Sequence, residues 1–412
     1  MAAFSGPVPN TAAVQSLQAV VVWEPGAAEN PLRSVGGLTL LERILRQLSE
    51  LDAIKSVVVL KPATVPLPPT SGRVRKPLEY YNVSGANFWE ILREARDKLA
   101  EDFIAVAAGF LIDQRLFAWL ARQPEDVMLT SDEGGSAEPA ARLSRKSLEA
   151  TKPQSSHLKL MAISSMPSHW EEMHGEVPLH FHQVTGEDDA KTGWKILLDH
   201  VQKRTLELPG QYFDPIFENL LIRRLAGTAV TANQVTLLTT LVGFVVTVLY
   251  YTGWLRLGVL VAILVEVLDG VDGKLARITR TTSRAGEYEH VLDFFYENSW
   301  YLALGLHFSR ANPHALKAAL LMILFDLTDN VAYALMDVGR GLSLDNASPF
   351  LARFRLIGGR RNIYTWLFLV GFFLGFPNRV FFVAVVWAGI TAAIHGGWLL
   401  SKALSRPALS SD

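Results

Sequence analysis

The 412-residue chain predicts an α-helical membrane bundle of six spans preceded by an α/β domain. Three observations carry that prediction. Charged residues are scattered among short apolar runs over residues 1–205, whereas long apolar runs dominate residues 230–404. Val235–Gly253 contains no charged residue and is long enough to cross a bilayer core. Strand-like and helix-like runs alternate near the amino terminus, the pattern of a parallel sheet covered by helices. The domain bounds that follow are 1–205, 206–230 and 231–405.

Composition removes several function classes. The net charge of −1 gives no global reason to expect nucleic acid as a partner. There is no cysteine, which excludes disulfides, thiolate zinc sites and cysteine nucleophiles. Met1–Gln15 lacks a basic stretch followed by an apolar one, so no cleavable signal peptide is expected and the α/β half is placed in the cytoplasm.

In the α/β half, Ala19-Val-Val-Val-Trp23 reads as a buried strand. Val35-Gly36-Gly37-Leu38 leads into an apolar-periodic helix at Leu40–Leu51, and Ser56–Leu60 supplies a second strand. Phe103–Ala107 is a third strand, followed by a helix around Leu116–Arg122.

Ahead of the first span, Phe213, Ile216, Phe217, Leu220, Leu221 and Leu225 are spaced to line one helical face, with Arg223 and Arg224 on the polar side. Such a basic amphipathic helix lies in a headgroup layer or packs on the α/β domain. After Val235–Gly253, five further spans are expected at about 254–272, 290–308, 314–337, 362–377 and 379–403. Several carry carboxylates, which face a bundle interior or a water-filled cavity in lipid and mark function. With a cytoplasmic amino terminus, the inner loops 273–288 and 338–361 hold Lys274, Arg277, Arg280, Arg284, Arg340, Arg353, Arg355, Arg360 and Arg361. The outer loops carry only Arg256, Arg310, Lys317 and Arg379, an asymmetry that follows the positive-inside rule.

The chemistry concentrates at the second and third spans. Asp269 and Asp272 share one helical face, as do Glu289, Asp293 and Glu297 at steps of four. Carboxylates aimed at a common point repel, and a divalent cation removes the repulsion; oxygen-only ligands suit Mg²⁺ or Mn²⁺. Two such ions about 4 Å apart clamp a diphosphate and stabilise its leaving oxygen. Between the clusters, Gly273, Ala276 and Gly286 permit close backbone approach and Arg277 can pair with phosphate oxygens. The residues alone therefore point to metal-assisted phosphoryl transfer at the cytoplasmic membrane surface.

Asp269-Gly-Val-Asp272-Gly273-Lys-Leu-Ala276-Arg277, then eight residues, then Gly286, resembles the CDP-alcohol phosphatidyltransferase motif D-x2-D-G-x2-A-R-x8-G-x3-D-x3-D. Thr231-Ala-Asn233-Gln-Val-Thr236 is similar to that family's P-N-x-x-T entry to the first span. Counting on from Gly286, the third and fourth acids fall on His290 and Phe294; a one-residue shift restores the pattern with Glu289 and Asp293. The resemblance implies six helices around a cytoplasm-facing polar cavity, release of CMP from a CDP-linked donor and divalent metal. It implies metal ligation by Asp269, Asp272, Glu289 and Asp293, with Asp293 also the base, and contacts to CDP from Gly273, Ala276, Arg277, Gly286, Asn233 and Thr236. It further implies a phospholipid-synthesising enzyme of the inner membrane, commonly a homodimer. Arg360 and Arg361 then either hold an acceptor phosphate, as basic residues do in relatives that use phosphorylated alcohols, or simply anchor the loop. Asp326 and Asp329, near mid-span, are expected in a buried polar network apart from the metal.

The α/β half resembles a sugar-phosphate nucleotidyltransferase, with Asn30–Leu45 close to its second motif. Its chemistry is missing. Trp23-Glu-Pro-Gly-Ala-Ala-Glu replaces the Gly-rich phosphate loop, Asn30 stands where a lysine is expected, and Ala108-Gly109 replaces Gly-Asp. An inactive domain fused to a CDP-alcohol phosphotransferase is the implied architecture, and the fusion suggests inositol phosphate or another phosphorylated polyol as acceptor. A membrane scaffold that has lost turnover and a membrane-anchored nucleotidyltransferase are the alternatives.

Overall fold

The computed structural model describes residues 16–27, 29–68, 72–131, 137–149, 158–281 and 286–404. Met1–Gln15, on which the signal-peptide expectation rests, lies outside them.

The α/β half is organised by a seven-stranded sheet: β1 Leu17–Val22, β2 Ile54–Pro62, β3 Leu78–Val83, β4 Asp102–Ala107, β5 Val127–Thr130, β6 Ala137–Ser144 and β7 Lys159–Ala162. Their spatial order is β7-β5-β6-β4-β1-β2-β3. β1 pairs in parallel with β2 and β4, β2 with β3, and β5 with β7. β6 runs antiparallel between β4 and β5, so the sheet is parallel-rich rather than wholly parallel. Ala19–Val22, Val57–Leu60 and Phe103–Val106 are fully buried, because helices cover both faces of a parallel sheet. Those helices are α1 Leu40–Ser49, α2 Phe88–Glu94 and α3 Gln114–Ala121; α4 Glu187–His200 packs instead on Val35, Leu40 and Leu111. Thr39 caps α1 by accepting the Glu42 N–H.

Nine helices follow among the described residues: α5 Leu208–Tyr212, α6 Asp214–Leu225, α7 Ala232–Thr252, α8 Leu255–Ile278, α9 Gly286–Ser309, α10 His314–Arg340, α11 Pro349–Phe354, α12 Arg361–Phe373 and α13 Pro377–Leu404. Three stretches, Ala232–Thr252, His314–Gly339 and Pro377–Lys402, are long and apolar enough to cross a membrane. The sequence expects six. α8 and α9 have 24 residues each, but ionisable side chains interrupt their apolar runs, and α12, at 13 residues, is shorter than the ~20 a bilayer core requires.

Two expectations need correction. The basic loop expected at 273–288 is largely helix: α8 continues to Ile278 and carries Gly273, Ala276 and Arg277 on its last turns. The polar side of α6 is not only Arg223 and Arg224. Asp214, Glu218 and Ile222 are buried against the bundle, while Ile216, Phe217 and Leu220 are exposed on the face a headgroup layer would cover.

The two halves are docked at the carboxyl end of α8. Its last carbonyls have no intrahelical donors and bear partial negative charge, so cations from α1 fit there. Arg43 donates to the Ile278 carbonyl at 2.8 Å and Arg46 to that of Thr279 at 2.7 Å. Around them Leu198 and Val201 pack with Ile222, Ala226, Val271 and Ile278 in one apolar cluster.

Candidate active site

The carboxylates arise where α8, α9 and α12 meet. Asp272 is buried; one oxygen accepts from the Thr236 hydroxyl of α7 at 2.8 Å, the other from the Gly273 N–H at 2.6 Å. Asp269, one turn earlier, forms an ion pair with Arg361 at the start of α12. The same guanidinium reaches Glu297 of α9 at 2.8 Å and donates to the Tyr296 hydroxyl. Asp293 lies one turn before Glu297, within the electrostatic reach of Arg361. The structure thus gathers Asp269, Asp293, Glu297 and Arg361 at one junction, with Asp272 beside it on α8.

The remaining predicted residues separate. Asn233, Ala276 and Arg277 line a cavity on the side facing the α/β half. Gly273 leaves space where a Cβ would sit 3.4 Å from the Arg277 guanidinium. Gly286 opens α9, and the Glu289 side chain, three residues on, lies outside the described residues. Arg360 does not join Arg361: it lies 4.2 Å above the Tyr333 ring, 3.7 Å from Glu207 and 4.0 Å from Asp329. Asp329 in turn meets His395 at 2.5 Å, and Asp326 accepts from Asn298 at 3.2 Å.

Among the described residues, three ligand atoms converge within 4.8 Å at Asp113, His180 and His200, and not at Asp269, Asp272 and Asp293. Asp113 is already held by the buried Arg115 at 2.7 Å, so a cation placed there would face a guanidinium. At the membrane junction the donor set is oxygen only, which fits Mg²⁺ or Mn²⁺. Arg361 occupies the positive position between Asp269 and Glu297, and so reports the charge these carboxylates require.

Sequence reasoning missed the acidic face of α6. Glu218 pairs with Lys274, itself a variable position of the motif, at 2.6 Å with both side chains buried. A Cβ at Gly270 would come within 1.7 Å of the Glu218 carboxylate, so α6 can pack on α8 only over a glycine. The available signal was the i, i+4 spacing of Asp214 and Glu218 on a helix scored for its apolar side.

Burial, then the neighbouring Glu218, pushes the Asp214 carboxyl up to about 7, with one oxygen lacking a hydrogen-bond partner among the described residues. A carboxyl whose folded pKa is raised binds its proton more tightly folded than unfolded. Its contribution is full below about pH 4 and is lost as pH rises through about 7. Asp214→Asn removes that loss. Thermal unfolding of the variant should show a gain on the order of 2 kcal/mol at pH 8 and none at pH 4. Equal gains at both would show that Asp214 does not titrate in this range.

Residues 229–338 match the CDP-alcohol phosphatidyltransferase family. The matched segment runs from α7 into α10 and includes Asp269, Asp272, Glu289 and Asp293. No curated protein matches the chain. Among solved structures, HddC from Yersinia pseudotuberculosis is similar at 10% identity and TM-score 0.32, over 43% of this chain and 98% of that one. The 4-diphosphocytidyl-2C-methyl-D-erythritol synthase of Anaerococcus prevotii is similar at 12% identity and TM-score 0.31, over 44% of this chain and 98% of that one.

Proposed function

We propose that the chain is a membrane CDP-alcohol phosphotransferase that moves a phosphatidyl or phospho-alcohol group from a CDP-linked donor to an alcohol and releases CMP. The observation that carries this reading is the meeting of Asp269 on α8 with Asp293 and Glu297 on α9, all inside the matched segment, around the buried Arg361 of α12. In this reading α7, α10 and α13 cross the inner membrane, α8, α9 and α12 complete the bundle around the site, and the α/β half and the site face the cytoplasm.

Asp293 accepts the proton of the acceptor hydroxyl. That oxygen forms a bond to the β-phosphorus as the bond from phosphorus to the bridging oxygen breaks, and CMP leaves with the electron pair. Asp269, Asp272, Glu289 and Asp293 would hold Mg²⁺ or Mn²⁺, which supplies charge neutralisation of the diphosphate. Thr236 and the Gly273 N–H orient Asp272, so that its carboxylate is fixed before substrate arrives. Arg361 and, farther out, Arg360 supply guanidinium groups for the phosphate of a phosphorylated polyol such as inositol phosphate. Purified protein should release CMP from CDP-diacylglycerol only when a suitable alcohol is added. Release across no member of an acceptor panel would favour a membrane scaffold, the reading supported by Arg361 standing on Asp269. Pyrophosphate release from CTP would favour a nucleotidyltransferase. Against that outcome, Glu24 of the degenerate phosphate loop is committed to accepting the Phe88 N–H at 2.7 Å.

A further inference from the structure

A cavity of about 810 Å³ lies between the two halves, within the size range of small-ligand sites. Asn233, Ala276 and Arg277 of the matched domain form one wall, and Gln47, Trp170 and His200 belong to the other. Residues 23–32, the degenerate phosphate loop, are not part of it, so it is distinct from the crevice at the carboxyl ends of the strands.

Its chemistry suits a nucleotide. Six Arg or Lys side chains line it against three carboxylates, an excess of positive charge that attracts a phosphate. Most of that charge stands on the wall from the α/β half, as Arg43, Arg73, Arg75 and Lys76, with Arg277 and Arg280 on the helical side. Burial holds His180 down at about 4 and His200 at about 3, so both imidazoles are neutral at pH 7. Gln47 is 6% exposed, and its amide orientation is fixed because Nε2 donates to the Ile112 carbonyl at 3.0 Å. That leaves Oε1 as an acceptor with no partner among the described residues, whereas the Nδ1 atoms of His180 and His200 both face Asp113, at 3.6 Å. A buried acceptor left open in this way is a place for a ligand donor.

We propose that this cavity receives the cytidine nucleotide of the donor, and that the α/β domain serves as its roof, with Gln47 reading the base. The proposal rests on the CDP-donor reading above. The exocyclic amino group of cytosine donates where Gln47 Oε1 accepts, whereas uracil presents a carbonyl at the same place. An otherwise inactive domain thereby becomes a specificity element of the membrane enzyme.

The test is binding of CMP and UMP to the full-length protein in nanodiscs, followed by hydrogen exchange with and without CMP. Wild type should prefer CMP, and Gln47→Leu should lose at least about tenfold of that preference. CMP should protect amides at residues 47–52 and 170–172 as well as those at the ends of α7 and α8. The exchange experiment on wild type decides the matter even where the variant folds poorly. Protection confined to the helical half would overturn the roof while leaving the donor reading intact. Absence of CMP binding altogether would remove the donor reading, and the roof with it.

Discussion

Asp293→Asn is expected to lower CMP release by about a thousandfold or more, because the residue is assigned both proton removal and part of the cation site. Asparagine keeps the size of the side chain and cannot accept a proton at neutral pH. Asp293 lies in the field of Arg361, which retains Asp269 and Glu297 as partners. The thermal midpoint should therefore fall only slightly. Steady-state CMP release measured beside thermal unfolding separates the two effects. Turnover within a few-fold of wild type in a folded Asp293→Asn protein would remove Asp293 from the reaction.

The second large effect concerns how the halves are joined. Gly37 has φ +77°, and a Cβ there would stand 1.4 Å from the Ala226 carbonyl oxygen just after α6. Neither the backbone conformation nor the contact admits a side chain. Gly37→Ala should cost about 3 kcal/mol or more, combining left-handed strain with displacement of the docked backbone. Gly26→Ala is the control, since nothing lies within 4 Å of the added atom. Thermal unfolding should show a clear loss for the first variant and almost none for the second. Limited proteolysis should cut between the halves of Gly37→Ala first. Equal stability of the two would mean that the docking is loose.

The motif on α8 was legible because its residues lie on one helix, where spacing translates directly into a shared face. The buried strands were legible for a related reason: Ala19–Val22 and Phe103–Val106 are continuous apolar runs, as a sheet covered on both faces demands. What could not be read is whatever depends on distant partners. Arg361 lies 92 positions from the Asp269 it neutralises, and no periodicity links them. Arg43 and Arg46 lie in the helix that apolar periodicity marks at Leu40–Leu51, yet that periodicity does not show that they bond to carbonyls at the end of α8. Backbone acceptors at a helix end leave no mark in the side-chain pattern. α6 misled by the strength of its apolar spacing, which drew the assignment away from Asp214 and Glu218. The antiparallel β6 was invisible because the strand pattern fixes faces and says nothing of direction.

The central claim is that the carboxylates of α8 and α9 release CMP with the help of a divalent cation. The most direct measurement strips purified protein with a chelator, supplies CDP-diacylglycerol and an acceptor, and follows CMP as Mg²⁺ or Mn²⁺ is restored. The account predicts no release from stripped protein, recovery with either ion, and no recovery in Asp269→Ala or Asp272→Ala. CMP release that persists without a divalent cation, or that is restored in both alanine variants, would contradict it.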